Sequence, residues 1–215
     1  MGGSRWIIVT AGGTQEPIDE VRFIGNRSTG ATGRALAAEG CRRGWHVVLV
    51  HAADAQRPDP RGGLELVPFV TGSDLMAALE ELSRRSPGPR AIVHAAAVSD
   101  YAPAAASGKI PSGLTELVVR LRPTPKIVRR LKALFPDAAL IQFKLEVGAT
   151  RDELWRAALE SAAANGADLV VANDLREVGG GRHHAYLLRP DGGFQEVGDD
   201  AELAVALIDW IEGEP

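Results

Sequence analysis

The 215-residue chain is poor in the residues that crosslinks and cysteine-built metal sites require, with one cysteine, Cys41. A lone cysteine forms no internal disulfide and no cysteine-based zinc site, which excludes a secreted disulfide scaffold and a zinc ribbon. Lysine is scarce as well, 4 against 20 arginines, and the formal net charge is −4. A nucleic-acid binder would show a basic excess gathered in one place. No stretch nears the roughly 18 to 20 uncharged apolar residues of a membrane span. Met1-Gly2-Gly3-Ser4 leads straight into an apolar strand, without signal-peptide anatomy. The expectation is a cytoplasmic protein with neither nucleic acid nor membrane as partner. Hydrophobic residues, by contrast, make up 45% of the chain, enough to bury a core, and the 24 glycines and 13 prolines imply many tight turns.

Apolar runs alternate with alanine-rich helical stretches from end to end, the pattern of βαβ units building a parallel sheet. Strands are predicted at Arg5 to Thr10, His46 to His51, Ala91 to Ala95, Glu116 to Leu121, Ala138 to Lys144, Asp168 to Ala172 and, at a sheet edge, His184 to Arg189. A helix over Gly30 to Arg43 ends at Gly44, a second is capped by Ser73 and runs to Arg84, and Thr124-Pro125 has the form of a cap followed by a first-turn proline. Thr150 to Glu153 is a capping box, and Asp199 to Ile211 closes the chain as an amphipathic helix. Ser99 to Thr115 is too long for an ordinary connection and reads as a functional loop. The fold class expected is α/β, a doubly wound, mostly parallel, Rossmann-like sheet with helices on both faces, forming one domain over residues 1–215.

Ligands of open parallel sheets sit outside the carboxyl ends of the strands. After the first strand come Gly12-Gly13, then Arg22, then Gly25-Asn26-Arg27-Ser28-Thr29-Gly30 at the start of a helix. Adjacent glycines admit a ligand close to the backbone, and a helix N-terminus favours an anion. The same glycines alone would also make ordinary turns. Neither common nucleotide fingerprint is met: there is no Gly-x-Gly-x-x-Gly directly after the strand, no acidic residue after Val50-His51-Ala52, and no Gly-Lys-Ser/Thr. After the third strand, small residues Ala95 and Ala96 precede Asp100, which either caps a turn or accepts hydrogen bonds from a ligand. Lys109 stands in a Gly/Pro/Ser segment, as a mobile point charge suited to a phosphate or as a solvated surface residue. Phe143 stacks on a base or joins the core, and Asn173-Asp174 caps a turn or lines the cleft. The histidines, His183-His184 included, lack metal-ligand spacing, and no Gly-x-Ser-x-Gly or Cys/His pairing offers a covalent nucleophile.

Taken together, Val9 to Gly33, His94 to Pro103, Gly108-Lys109-Ile110, Thr124 to Ile127, Gln142 to Glu146 and Ala167 to Leu175 resemble the phosphopantothenoylcysteine synthetase family, in its stand-alone form. The segments follow the family's order and cover almost the whole chain. The resemblance implies a ligase that activates 4′-phosphopantothenate with a nucleoside triphosphate, CTP favoured and ATP the alternative, as an acyl nucleotidylate. The amine of L-cysteine then displaces the nucleoside monophosphate to form an amide. It implies Mg²⁺ with the triphosphate, no flavin, no protein-held metal and a homodimer.

Carried over by position, Asn26 matches the residue that binds the acyl group, Arg22 the arginine of the second step, and Lys109 the lysine of a mobile flap, in a flexible loop at about 99–115. Ala95, Ala96, Asp100 and Phe143 match positions around the base and sugar, and Ser28 with Gly12, Gly13 and Gly30 the phosphate-binding loop. The chain departs from the fused bacterial enzymes at Ser161 and Asn165, where those carry lysines, and at Ile24-Gly25-Asn26-Arg27. A NAD(P)-dependent oxidoreductase of the same architecture would need a charged selector after the second strand and a Tyr-x-x-x-Lys pair, and has neither. A non-catalytic nucleotide-binding relative would not need to keep Asn26 and Lys109.

Overall fold

The computed structural model describes residues 5–56, 58–59, 62–179 and 182–213. Among these, one sheet takes eight strands: β1 (Trp6–Ala11), β2 (His46–Ala52), β3 (Leu64–Phe69), β4 (Ala91–His94), β5 (Ala139–Glu146), β6 (Leu169–Asp174), β7 (Ala185–Leu188) and β8 (Phe194–Val197). Their order is β3-β2-β1-β4-β5-β6-β7-β8. The first six are parallel, and β7 and β8 add antiparallel pairings at one side. The helices are α1 (Ala31–Arg42), α2 (Gly72–Leu82), α3 (Val128–Leu134), α4 (Arg151–Asn165) and α5 (Asp200–Gly213).

Both faces of the sheet are covered, which is why its strands read as nearly continuous apolar runs. Successive side chains point to opposite faces: Ile7, Val9, Val47 and Leu49 pack under α1 and α5, whereas Ile8, Val48, Val50 and Ile92 pack under α2, α3 and α4. Each of these buried Ile, Val or Leu side chains contributes roughly 1.5–3 kcal/mol relative to exposure. The order of the strands reverses between β1 and β4, so the loops leaving these two strands diverge and a crevice opens between them. Among the described residues no helix is long and apolar enough to cross a membrane.

The doubly wound architecture is as expected, and several local expectations are corrected. β3 and β8 lie where no strand was foreseen, so the 185–188 strand is not at the edge. Leu64 to Phe69 alternates only weakly in burial, and Phe194 to Val197 leaves one buried residue. The cap of α2 is Thr71, in a capping box with Asp74, rather than Ser73. Glu116 to Leu121 is not a strand. Residues 116–120 have no ladder partner, and Leu121–Pro123 pairs instead with Tyr101–Pro103 as a hairpin. Thr124 does not cap α3, which begins at Val128; its hydroxyl donates to the Ser99 carbonyl at 2.6 Å and ties the loop after β4 to the approach to α3. The capping box at Thr150 and Glu153 is present. A second hairpin joins Gln15–Pro17 to Phe23–Gly25.

Helix α1 lies close against β1 because Gly33 has no side chain. A Cβ there would stand 2.3 Å from the Ala11 Cβ, below any normal contact. Alanine favours a helix interior over glycine by about 1 kcal/mol, but overpacking costs typically about 1–3 kcal/mol. Gly33→Ala is therefore expected to lower the urea midpoint of unfolding. A midpoint equal to or above that of the parent protein would show that the helix yields freely, contrary to this packing.

Candidate functional site

Two segments leave the sheet side by side at the β1/β4 reversal. The Ala95 N–H donates to the Thr10 carbonyl at 3.2 Å, the Ala97 N–H to the Gly12 carbonyl at 2.8 Å, and the Thr14 N–H back to the Ala97 carbonyl at 3.2 Å. Thr14 Oγ1 accepts from the Ser99 N–H at 3.0 Å. The glycine pair lets the exit from β1 pass close to two further segments, the end of β2 at Ala52 and the loop at Asn26. Gly12 has φ +91°, in the left-handed region, and a Cβ on Gly13 would lie 2.3 Å from the Asn26 carbonyl oxygen. Asn26 is held in turn by its amide, whose Nδ2 donates to the Val98 carbonyl at 3.0 Å.

Of the predicted site residues, Gly12, Gly13, Asn26, Ala95 and Ala96 thus meet around this pair of segments. Gly30 packs against the Gly12 backbone and starts α1 in a left-handed conformation with no side-chain cap, while Ser28 is exposed beside it. Helices α2 and α4 close their first turns with capping boxes; the cap residue of α1, Gly30, has no side chain to do so, and Thr29 Oγ1 accepts only the Ala31 N–H at 3.3 Å, which leaves the rest of the first turn to an anion.

Ala96, Asp100 and Phe143 line a cavity of about 180 Å³ together with His94, Lys126, Gln142, Ser161 and Asn165. Its floor is uncharged. Thr10 Oγ1 accepts from the Ala96 N–H at 3.1 Å and is hydrogen-bonded to His94 Nδ1 at 3.0 Å. Burial pushes this imidazole down to about 4, well below the usual histidine range. Beside it Gln142 Nε2 donates to Ser161 Oγ at 3.1 Å, and Asn165 Nδ2 donates to Gln142 Oε1 at 2.8 Å. At the rim, Asp100 pairs with Lys126. A larger cavity of about 570 Å³ lies between α2 and the 101–103/121–123 hairpin, mostly apolar, and contains none of the predicted residues.

Arg22 and Lys109 form a separate group. The turn 18–22 carries Arg22 and contacts the 106–110 segment, where Lys109 is exposed. Lys126, Lys132 and Lys144 are each in ion pairs, with Asp100, Asp168 and Glu146, and Lys109 has no such partner among the described residues. Asp174 caps the short turn after β6, accepting from the Arg176 N–H at 2.8 Å. Sequence reasoning missed Thr10, Thr14, Thr124 and Lys126 as builders of the site. The signal available for the first two was a threonine at, or just beyond, the end of a buried strand beside the glycines.

The order of strands and the crevice at its reversal define a doubly wound α/β protein whose ligand site lies at the carboxyl ends of the central strands. Comparison with known proteins makes the assignment more specific. The profile of the family described as DNA/pantothenate metabolism flavoprotein C-terminal domain matches residues 3–213, and the chain belongs to this family. It is 38% identical over 187 residues to the coenzyme A biosynthesis bifunctional protein CoaBC of Thermococcus kodakarensis, covering 86% of this chain and 45% of that protein. It is 35% identical to CoaBC of Mycobacterium tuberculosis, over 96% of this chain and 52% of that one. The chain therefore spans about half the length of these curated relatives. The crystal structure of the DNA/pantothenate metabolism flavoprotein from Streptococcus pneumoniae superposes with a TM-score of 0.87 at 31% identity, covering 96% of this chain and 97% of that one.

The buried His94 links the cavity to stability. Its folded-state value lies below the ordinary 6.5, so as pH falls from about 6.5 toward about 4 the unfolded chain takes up a proton that the folded one does not. This histidine's contribution to stability is thus full above the upper value and is lost progressively across that window. His94→Asn, which removes the titrating ring, is expected to flatten the fall in urea midpoint between pH 6.5 and pH 4.5. An unchanged slope would mean that His94 is charged in the folded protein.

Proposed function

We propose that this chain is the ligase of the family, joining 4′-phosphopantothenate to L-cysteine in an amide at the expense of a nucleoside triphosphate. The observation that carries the reading is the meeting of the Gly12-Gly13 segment, Asn26 and the Ala95-Ala96 segment beside the cavity lined by Asp100 and Phe143. The two relatives described above are coenzyme A biosynthesis proteins, which supports the same reaction class.

The carboxylate of phosphopantothenate attacks the α-phosphorus, the bond to pyrophosphate breaks, and an acyl nucleotidylate forms. The cysteine amine then attacks the acyl carbon, the nucleoside monophosphate leaves, and the amine gives up a proton. Both steps gather negative charge, which fixed donors and cations stabilise without reorganising. The first turn of α1, with Ser28 and Gly30, receives a phosphate. The amide of Asn26, fixed on the Val98 carbonyl, orients the acyl group. Lys109, unpaired, meets the charge at the phosphorus under attack, and Arg22 serves the second step. Phe143, Ala96 and Asp100 hold the base and sugar. CTP is taken as the nucleotide, as the family resemblance implies, with ATP the alternative.

The hydroxyl and carbonyl oxygens of the crevice would accept hydrogen bonds from the waters of a Mg²⁺ that arrives on the triphosphate, and its N–H groups would bind the phosphate oxygens. When bound it would offset the charge of the triphosphate; the proposed reaction uses no flavin. The site belongs to a single domain in a cytoplasmic protein, and the protein is a homodimer. Val21, Phe23, Tyr101 and Leu121 lie exposed on two hairpins that pack against each other, an apolar surface of the kind a second copy covers.

Pyrophosphate release with Mg²⁺, 4′-phosphopantothenate and either CTP or ATP, with and without cysteine, tests the reading. Sustained turnover is expected only with cysteine and more readily with CTP. Lys109→Gln is expected to lower kcat by about 10²-fold or more, the scale for losing one charge-stabilising group. Asn26→Asp sets a carboxylate against the substrate's own and is expected to abolish turnover. Near-normal rates in either variant overturn the role given to that residue. Light scattering is expected to give twice the chain mass.

A further inference from the structure

The segment bearing Lys109 does not hang free: it is tied on both sides of the lysine to the turn that bears Arg22. The Ala106 N–H donates to the Ile18 carbonyl at 2.9 Å, and the Gly108 N–H donates to Glu20 Oε1 at 3.0 Å. Beyond the lysine, the Ile110 N–H donates to Asp19 Oδ2 at 3.0 Å, and the Ile110 carbonyl accepts from Arg22 Nη1 at 3.2 Å.

Asp19 stands at the centre. Its Oδ1 accepts the Val21 and Arg22 N–H groups at 2.8 and 2.7 Å and so shapes the turn, while Oδ2 accepts Arg22 Nη1 at 2.5 Å and the Ile110 N–H. The residue is 3% exposed, so these four donors replace the water it has lost. Desolvation raises this carboxyl, but the N–H groups of Ile110, Val21 and Arg22 and the Arg22 guanidinium outweigh it and hold it at about 2. The carboxylate is therefore charged throughout the working range of pH.

We infer that Asp19 is a positioning residue that fixes Arg22 and the Lys109 segment as one unit, so that the two cations are set in place together. This rests on the ligase reading for the roles of Lys109 and Arg22, while the tether itself does not depend on that reading. It has a chemical rationale: one carboxylate orients the guanidinium and, through the Ile110 N–H, the neighbour of the lysine, without pairing with the lysine itself. Lys109 keeps its charge available, whereas a direct ion pair would have spent it. The exposed Glu20 holds the other side, from Gly108.

Three measurements test this. Amide hydrogen exchange in Asp19→Asn is expected to speed by about 10-fold or more at Gly108 and Ile110, with β1 and β2 amides unchanged, as for a local opening rather than global unfolding. Glu20→Ala, at an exposed position, is expected to speed Gly108 alone and serves where the buried substitution does not fold. Then Asp19→Asn, Lys109→Gln and the double variant are compared in pyrophosphate release without cysteine. If Asp19 acts through Lys109, the single variants each slow the step by about 10-fold or more and the double variant is no slower than Lys109→Gln alone. Unaltered exchange at Ile110 in Asp19→Asn, or at Gly108 in Glu20→Ala, overturns the tether. Multiplying effects in the double variant overturn action through the lysine. Absence of turnover in the parent protein defeats the ligase reading instead, and the exchange data still decide the tether.

Discussion

The site depends on one constraint, the backbone-to-backbone approach of the segments that leave β1 and β4. Parallel strands whose order reverses between them send their loops apart, and here a short ladder bends the two back together from Thr10 to Ala97. Glycines serve the neighbouring approaches: a Cβ on Gly13 would stand 2.3 Å from the Asn26 carbonyl oxygen, and one on Gly12 would run into Ala52 at the end of β2. The glycines therefore work first on the protein itself, drawing its own chain segments together. The room for the proposed ligand lies beside them, at the start of α1 and over Ala95 and Ala96.

The same constraint explains the two threonines that reinforce the crevice. Thr10 is fully buried and serves two partners, accepting the Ala96 N–H and facing His94, while Thr14 accepts the Ser99 N–H. Thr124 extends the chain of contacts to the Ser99 carbonyl. A hydroxyl can both accept and donate, which suits it to stitching two loops whose backbone groups do not match in register. The threonines hold the polar backbone of a buried loop satisfied where no regular ladder could.

Much of the fold was legible because burial on both faces of a parallel sheet imprints long apolar runs, as at Ile7 to Val9, Val47 to Val50 and Leu169 to Ala172. Caps were legible where the chemistry is local, as at Thr150 and Glu153. Where the pattern was written for another purpose the reading failed. Glu116 to Leu121 alternates like a strand, yet Leu117 and Val118 are exposed with no sheet beneath them. Thr124-Pro125 has the form of a helix start, but its hydroxyl is taken by a carbonyl 25 residues away. The glycines, Asn26 and the Ala95-Ala96 pair were legible from their places at strand ends and converge in space. The part played by Asp19 was not, because it arises from bonds to residues about 90 positions distant, and no local spacing records them.

Charge is distributed unevenly across the site, and the distribution suits the proposed chemistry. The floor of the small cavity holds an imidazole kept neutral by burial and an amide–hydroxyl cluster of Gln142, Ser161 and Asn165, whose donors and acceptors largely satisfy one another. At positions where fused relatives were expected to carry lysines, this chain adds no cation that would bind any anion indiscriminately. Its lysines stand outside that floor, Lys126 at the rim paired with Asp100, and Lys109 in the separate group with Arg22, without an ion-pair partner among the described residues. A charge in the floor would bind the triphosphate equally well before and after reaction, and such uniform binding does nothing for the chemical step. In the proposed reaction a lysine carried on a segment fixed from both sides would contribute where charge develops. The neutral floor is left to recognise shape and hydrogen-bonding pattern.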